Sequence, residues 1–138
     1  MIKKFELDLS SKITVFWIEL FRVKALISFG NVKEGELGGY IAKEGNLSHS
    51  GNAWVYGDAE VYGNAEVSRL NDYIVFKNNW SSGRYFTYTH SNKMWRVGCF
   101  HGTGEELVKK AYIDSENSGR HYEAYVNFVK TLEALDDK

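Results

Sequence analysis

Five glycines, Gly39, Gly45, Gly51, Gly57 and Gly63, recur every six residues, and two positions after each stands Ile41, Leu47, Ala53, Ala59 or Ala65. Val55, Val61 and Val67 complete a Val-x-Gly-Asn-Ala-x unit. This phase constrains the chain more than any other feature, because repetition at a fixed period dictates architecture before single elements are assigned. Six residues hold a short strand and a corner. Ala and Val two apart face the same way, and Gly-Asn or Gly-Asp supplies a bend where positive φ costs little.

The unit resembles the hexapeptide repeat of the left-handed parallel β-helix, in which three hexads close one triangular coil. The phase runs over 37–70, which is under two coils, and a stack that short leaves both ends open. Its flanks must cap it. Lys4 to Leu9, Ile13 to Ile18 and Leu20 to Ile27 read as strands, closed by a Phe29-Gly30-Asn31 turn. Downstream, Tyr73 to Lys77, Arg84 to Thr89 and Met94 to Gly98 read as an antiparallel meander. Thr103 with Glu106 has the form of a capping box, Leu107, Val108, Ala111 and Tyr112 make an apolar stripe, and Ser118-Gly119 separates a second helix from about Arg120 to Leu135.

The expected fold is therefore α+β and β-rich: a short left-handed parallel β-helix capped by N-terminal strands, then an antiparallel sheet with two C-terminal helices. Its parts are an N-terminal β cap at 1–36, the repeat at 37–70 and the sheet with helices at 71–138, forming one cooperative unit.

Composition narrows the class. The absence of Pro and the 15% aromatic content exclude a disordered or Pro-rich segment. A net charge of −1 supplies no global attraction to nucleic acid or membrane. No apolar run approaches the roughly 18 residues of a bilayer span, and Met1-Ile2-Lys3-Lys4 opens no signal peptide, so a soluble protein of the bacterial cytoplasm is expected. The single cysteine, Cys99, allows no internal disulfide and reads as a small buried apolar residue.

Leu20 to Leu26, Phe29-Gly30-Asn31-Val32-Lys33, Gly38-Gly39 and the Gly-Asn-Ala hexads are similar to a group of phage and prophage proteins with variable numbers of hexads. Asn71 to Lys77, Trp80 to Arg84 and Gly102 to Leu107 resemble the strand-plus-helix module that follows the repeats there. The likeness covers nearly the whole chain and implies a phage origin without naming an activity.

Hexapeptide β-helices also occur in acyltransferases, which the resemblance implies would use a histidine in a cleft between subunits. His49 is the one histidine of the repeat. It shares the register of Val55 and Val61, as Lys43 does, and both side chains are expected to escape to solvent where the cap distorts the first hexads. Scattered His90, His101 and His121 with one cysteine match no zinc pattern, and no cofactor is expected. His101-Gly102-Thr103-Gly104 reads as a tight turn with Thr103 as N-cap, anion binding at that helix start being the minor reading.

Charge is uneven: 69–101 carries five basic residues against one acidic, together with eight aromatics. Phe76, Phe86 and Trp95 are expected in the core, with Lys77, Arg84, Lys93 and Arg96 on the solvated face. Trp80, in a polar turn, is the strongest single contact candidate. Outward positions of the hexads place Trp54, Tyr56 and Tyr62 in an exposed aromatic ladder, an interface signature.

Two functions follow. The first is a non-catalytic protein-binding module using Trp54, Tyr56, Tyr62, Trp80, Arg84 and Arg96. Its phage resemblance implies a counter-defence inhibitor of the anti-CRISPR kind, whose partner is a bacterial host protein such as a CRISPR nuclease; an open β-helix edge adds a homodimer. The alternative is nucleotide or sugar capture by Arg84, Arg96, His101 and Thr103. A degenerate acyltransferase comes third.

Overall fold

The computed structural model describes residues 3–15, 17–69, 72–98 and 100–136. Strand β1 (Phe5–Val15) pairs antiparallel with β2 (Ile18–Ala25), and Val15 faces Ile18, so the chain reverses within two residues. The two N-terminal strands expected as separate elements are one. Asp8 accepts bonds from the Ser10 amide at 3.1 Å and from the Ser10 and Ser11 hydroxyls, which holds the intervening residues as a bulge between Asp8 and Lys12. β3 (Leu37–Ile41) continues the sheet antiparallel to β2, and the two-residue β4 (Glu60–Val61) joins β3 in parallel.

The repeat does not build a parallel β-helix. Among the described residues, its parallel pairing is limited to Tyr40 with Glu60, Ile41 with Val61 and an isolated bridge of Leu47 with Val67. The chain passes over itself once and becomes the end of a mixed four-stranded sheet, ordered β1-β2-β3-β4. The reason lies in the corners. A solenoid meets its backbone groups with the next coil; here backbone bonds of that kind join Tyr40 to Ala59, Ala42 to Val61 and both Ser48 and Asn46 to Val67, while side chains serve the corner carbonyls and several of the remaining amides. The Lys4 ammonium donates to the Gly51 and Ala53 carbonyls, Arg22 Nη1 to Gly57, and Asn46 Nδ2 to Gly63 and Ala65. Successive hexads thus receive three different donors. On the amide side, Tyr73 Oη accepts from the Tyr56 amide, Thr87 from Glu60 and Ser91 from Glu66.

Two parts of the repeat reading do describe the backbone. Gly51, Gly57 and Gly63 have φ of +63°, +58° and +67°, the left-handed corner that glycine adopts without strain. Ala53, Val55, Ala59, Val61, Ala65 and Val67 all face inward and are buried with Phe5, Val23, Ile41 and Leu47. Gly38 and Gly39 let this segment approach β3: a Cβ on Gly38 would meet the Trp54 indole at 2.8 Å, and one on Gly39 the Val55 side chain at 2.7 Å. The N-terminal strands and the hexads therefore share one core.

The second sheet is antiparallel, in the order β5 (Tyr73–Lys77), β6 (Tyr85–Thr89), β7 (Met94–Val97) and β8 (Phe100–Gly102). β8 is an addition to the expected meander, and its pairing of Arg96 with His101 brings the chain back beside β7. Helices α1 (Gly104–Asp114) and α2 (Glu116–Asp136) cover one face of this sheet and bury Phe86, Tyr88, Trp95, Leu107, Tyr122, Val126 and Val129. Thr103 and Glu106 form the capping box in both directions, at 3.2 and 2.9 Å. The expected break at Ser118-Gly119 is absent, and α2 begins at Glu116. Gly119 is inside the helix because the Tyr112 ring lies against it, where any Cβ would collide. Cys99 lies outside the described residues. No helix is long and apolar enough to cross a membrane among those residues.

Candidate functional site

Between the two sheets lies a cleft of about 580 Å³ lined by Thr14, Val15, Tyr40, Asp58, Glu60, Arg84, Tyr85, Thr87, Arg96 and Gly98. Each half of the molecule supplies a wall. The end of β1 gives Thr14 and Val15, β3 and the hexads give Tyr40, Asp58 and Glu60, and the outer face of the second sheet gives Tyr85, Thr87 and Arg96.

Strand alternation puts Thr87 and Arg96 side by side as a cross-strand pair on the face away from the helices. There Arg96 is only 6% exposed, which corrects its expected place on a solvated face. Glu60 Oε1 is 3.3 Å from Arg96 Nε, but the angle makes no hydrogen bond, and Arg96 Nε and Nη1 are buried without a partner. Burial raises the Glu60 pKa, the opposing charge of Arg96 offsetting this only in part. On the same side Arg22 holds the hexad corner: it donates to Gly38 at 2.8 Å, pairs with Asp58 at 3.4 Å and stacks on Tyr40 with its guanidinium carbon 4.4 Å from the ring centroid. Arg84 stays exposed beside Gly98.

Compared with protein-family models, curated proteins and solved structures, the chain matches none. The site is therefore read from its own geometry.

The exposed aromatic ladder does not exist. Trp54 is 0% exposed and packs edge-on against Phe29, and Tyr62 is 8% exposed, with the His101 ring 4.5 Å away and Arg96 at 5.5 Å. Burial pushes the Tyr62 phenol up to about 12. The ladder assumed a free outer face on the hexads, and that face is covered by the N-terminal strands on one side and the second sheet on the other. Tyr56 alone remains exposed, at 40%.

Trp80 is half-buried rather than displayed. It stacks on His121 at 4.4 Å and on Tyr125 at 5.6 Å, under α2. The ligand set also divides. Arg84 and Arg96 share the cleft, while His101 closes over Tyr62 and Thr103 caps α1, where the Glu106 carboxylate takes the place an anion would use. Burial, aided by Arg96, lowers the His101 pKa. His49 is only partly exposed: it stacks on Phe5 at 4.1 Å, accepts the Lys4 amide at 3.0 Å and has Nε2 3.2 Å from Glu44, whereas Lys43 is exposed.

Sequence reasoning missed Asp58, Glu60, Tyr40 and Tyr85 as members of one site, because they come from three separate segments. It also missed Trp17, 97% exposed at the β1–β2 reversal. Phe16-Trp17 contains none of the Gly, Asn or Asp residues that mark a tight turn, so the sequence offers no signal for it.

Proposed function

We propose that this protein is a non-catalytic binding module of phage type that docks on a bacterial host protein in the host cytoplasm and blocks an immune effector, a CRISPR nuclease being the specific candidate. The observation that supports the reading is Trp17. An indole that is almost wholly exposed at a hairpin tip is stabilised by nothing in its own fold, and tryptophan is among the residues that most often anchor a protein interface. Thr14 and Val15 of the same hairpin line the cleft with Arg84 and Tyr85, so the tip adjoins a surface that carries both charge and aromatic area. Arg84 and Tyr56 remain available as contacts, whereas Trp54, Tyr62 and Trp80 serve packing and Arg96 is buried in the cleft wall. Homodimerisation was expected from an open solenoid edge, and that argument lapses because Tyr73, Thr87 and Ser91 already meet the hexad amides in cis.

The test is infection of CRISPR-immune bacteria that express the protein. Plaquing by the targeted phage rises if an immune effector is blocked, and Trp17→Ala abolishes the rise while leaving the melting temperature unchanged. Loss of a central interface tryptophan costs about 2 kcal/mol or more, roughly a thirtyfold weaker complex. Unchanged plaquing with wild-type protein, or full activity in Trp17→Ala, overturns the reading.

A further inference from the structure

The cleft between the sheets holds a feature that packing alone does not explain. Arg96 is buried, yet two of its nitrogens donate to nothing, and its nearest carboxylate stands at 3.3 Å in a direction that makes no hydrogen bond. A buried donor left without an acceptor carries the full cost of its desolvation. That cost is recovered when an acceptor with two oxygens reaches the guanidinium, and phosphate, like carboxylate, has the geometry that matches the fork. Arg84 stands on the same cleft, and Gly98 beside it presents no side chain to obstruct a second contact.

The rest of the lining extends the chemistry beyond a bare anion. Tyr85 is 52% exposed and offers a ring face to a planar base. Tyr40 already has Arg22 on its ring. Asp58 and Glu60 are acceptors suited to ribose hydroxyls. With Arg22 counted, three guanidinium groups face two carboxylates, which leaves the region net positive. The volume lies within the roughly 300–1,000 Å³ of small-molecule sites.

We propose that this cleft binds a nucleoside 5′-monophosphate, with the phosphate on Arg84 and Arg96, the base against Tyr85 and the ribose hydroxyls toward Asp58 and Glu60. The site shares Arg84 with the proposed docking surface, but it does not rest on that reading, because nucleotide binding is read on the chain alone.

Titration calorimetry of the full chain with AMP, GMP, CMP and UMP tests it, with adenosine, ribose 5-phosphate and inorganic phosphate as controls. At least one monophosphate is expected to bind at least tenfold tighter than any control. Arg84→Ala then weakens binding at least tenfold, as loss of a charge-assisted hydrogen bond to phosphate requires. Tyr85→Ala weakens it severalfold, and Lys109→Ala, on the exposed side of α1, leaves it unchanged. Arg84 and Tyr85 are both exposed, so their variants fold, and equal melting temperatures verify this. Absence of binding by all four nucleotides overturns the proposal, as does binding of ribose 5-phosphate or inorganic phosphate as tight as the nucleotide. Binding insensitive to Arg84→Ala places the ligand elsewhere and also overturns it.

Discussion

Lys4 shows how much a single side chain does in this fold. It is buried at the start of β1, reaches across to the Ala53 carbonyl at 2.5 Å and lies over the Phe29 ring at 4.7 Å. Desolvation lowers its pKa. The ammonium replaces the backbone amides that another coil would have brought to that corner. Lys4→Met fills the space but leaves the Ala53 carbonyl buried without a donor, a loss of about 1–3 kcal/mol. Urea denaturation is expected to show a lower midpoint at an unchanged m-value. A midpoint equal to wild type would mean that water serves the carbonyl equally well. Nothing in the sequence marks Lys4 as buried, since a lysine directly after Lys3 and two residues before Glu6 reads as an exposed strand residue. The carbonyls that its ammonium serves are more than 40 positions away.

At the scale of elements, local signals and local structure agree where the stabilising groups are near in sequence. The box at Thr103 and Glu106 closes within three residues, so it was legible. Thr103→Ala removes the acceptor for the Glu106 amide and is expected to cost about 1 kcal/mol, seen as a fall of several degrees in melting temperature. The strand β5 was likewise readable to the residue, from an aromatic and β-branched run bounded by polar turns. Disagreement arises where an element's end is decided by a distant contact. The Gly119 reading failed because the ring of Tyr112 demands a residue without Cβ inside a continuous helix. The hexads failed as a solenoid because a six-residue phase specifies corners and inward positions but not what lies on the next level.

Partly buried carboxylates set the molecule's response to pH. Glu133 on α2 accepts bonds from Tyr88 Oη and His90 Nδ1, each at 2.6 Å, and from Lys93 at 3.3 Å. Burial would raise its pKa, but those bonds outweigh it and hold the group below the usual range. Asp72 behaves alike: burial is overcome by bonds from Ser68 and Arg69. For both, the unfolded chain takes up protons first on acidification. Their contribution is therefore present above the unfolded carboxylate pKa, near 4, and is lost as pH falls through the lower folded values. Glu60 has the opposite sign, since its raised pKa makes its contribution greatest in acid and lost as pH rises through the folded value. Asp8 and Glu106 share the lowered sign against Glu60 alone, and the lowered His101 already favours the unfolded chain as pH falls through about 6.5, so urea midpoints are expected to decline slightly from pH 7 to about 5 and to fall further below about pH 4. Glu133→Gln should flatten that fall, and an unaltered acid slope in the variant would remove Glu133 from the account.

The sequence by itself determined the glycine corners, the inward Ala and Val positions, the capped helix and most strand spans, because each depends on backbone preference or on neighbours within a few residues. Tertiary structure alone decided that the hexads end a mixed sheet, that Trp54 and Tyr62 are core, and that Arg84, Arg96, Asp58 and Glu60 share a cleft. Those outcomes depend on which side chain reaches an unpaired backbone group first. Lys4 and Arg22 do so from outside the repeat and Asn46 from within it, and the six-residue phase contains no record of which corner each will reach.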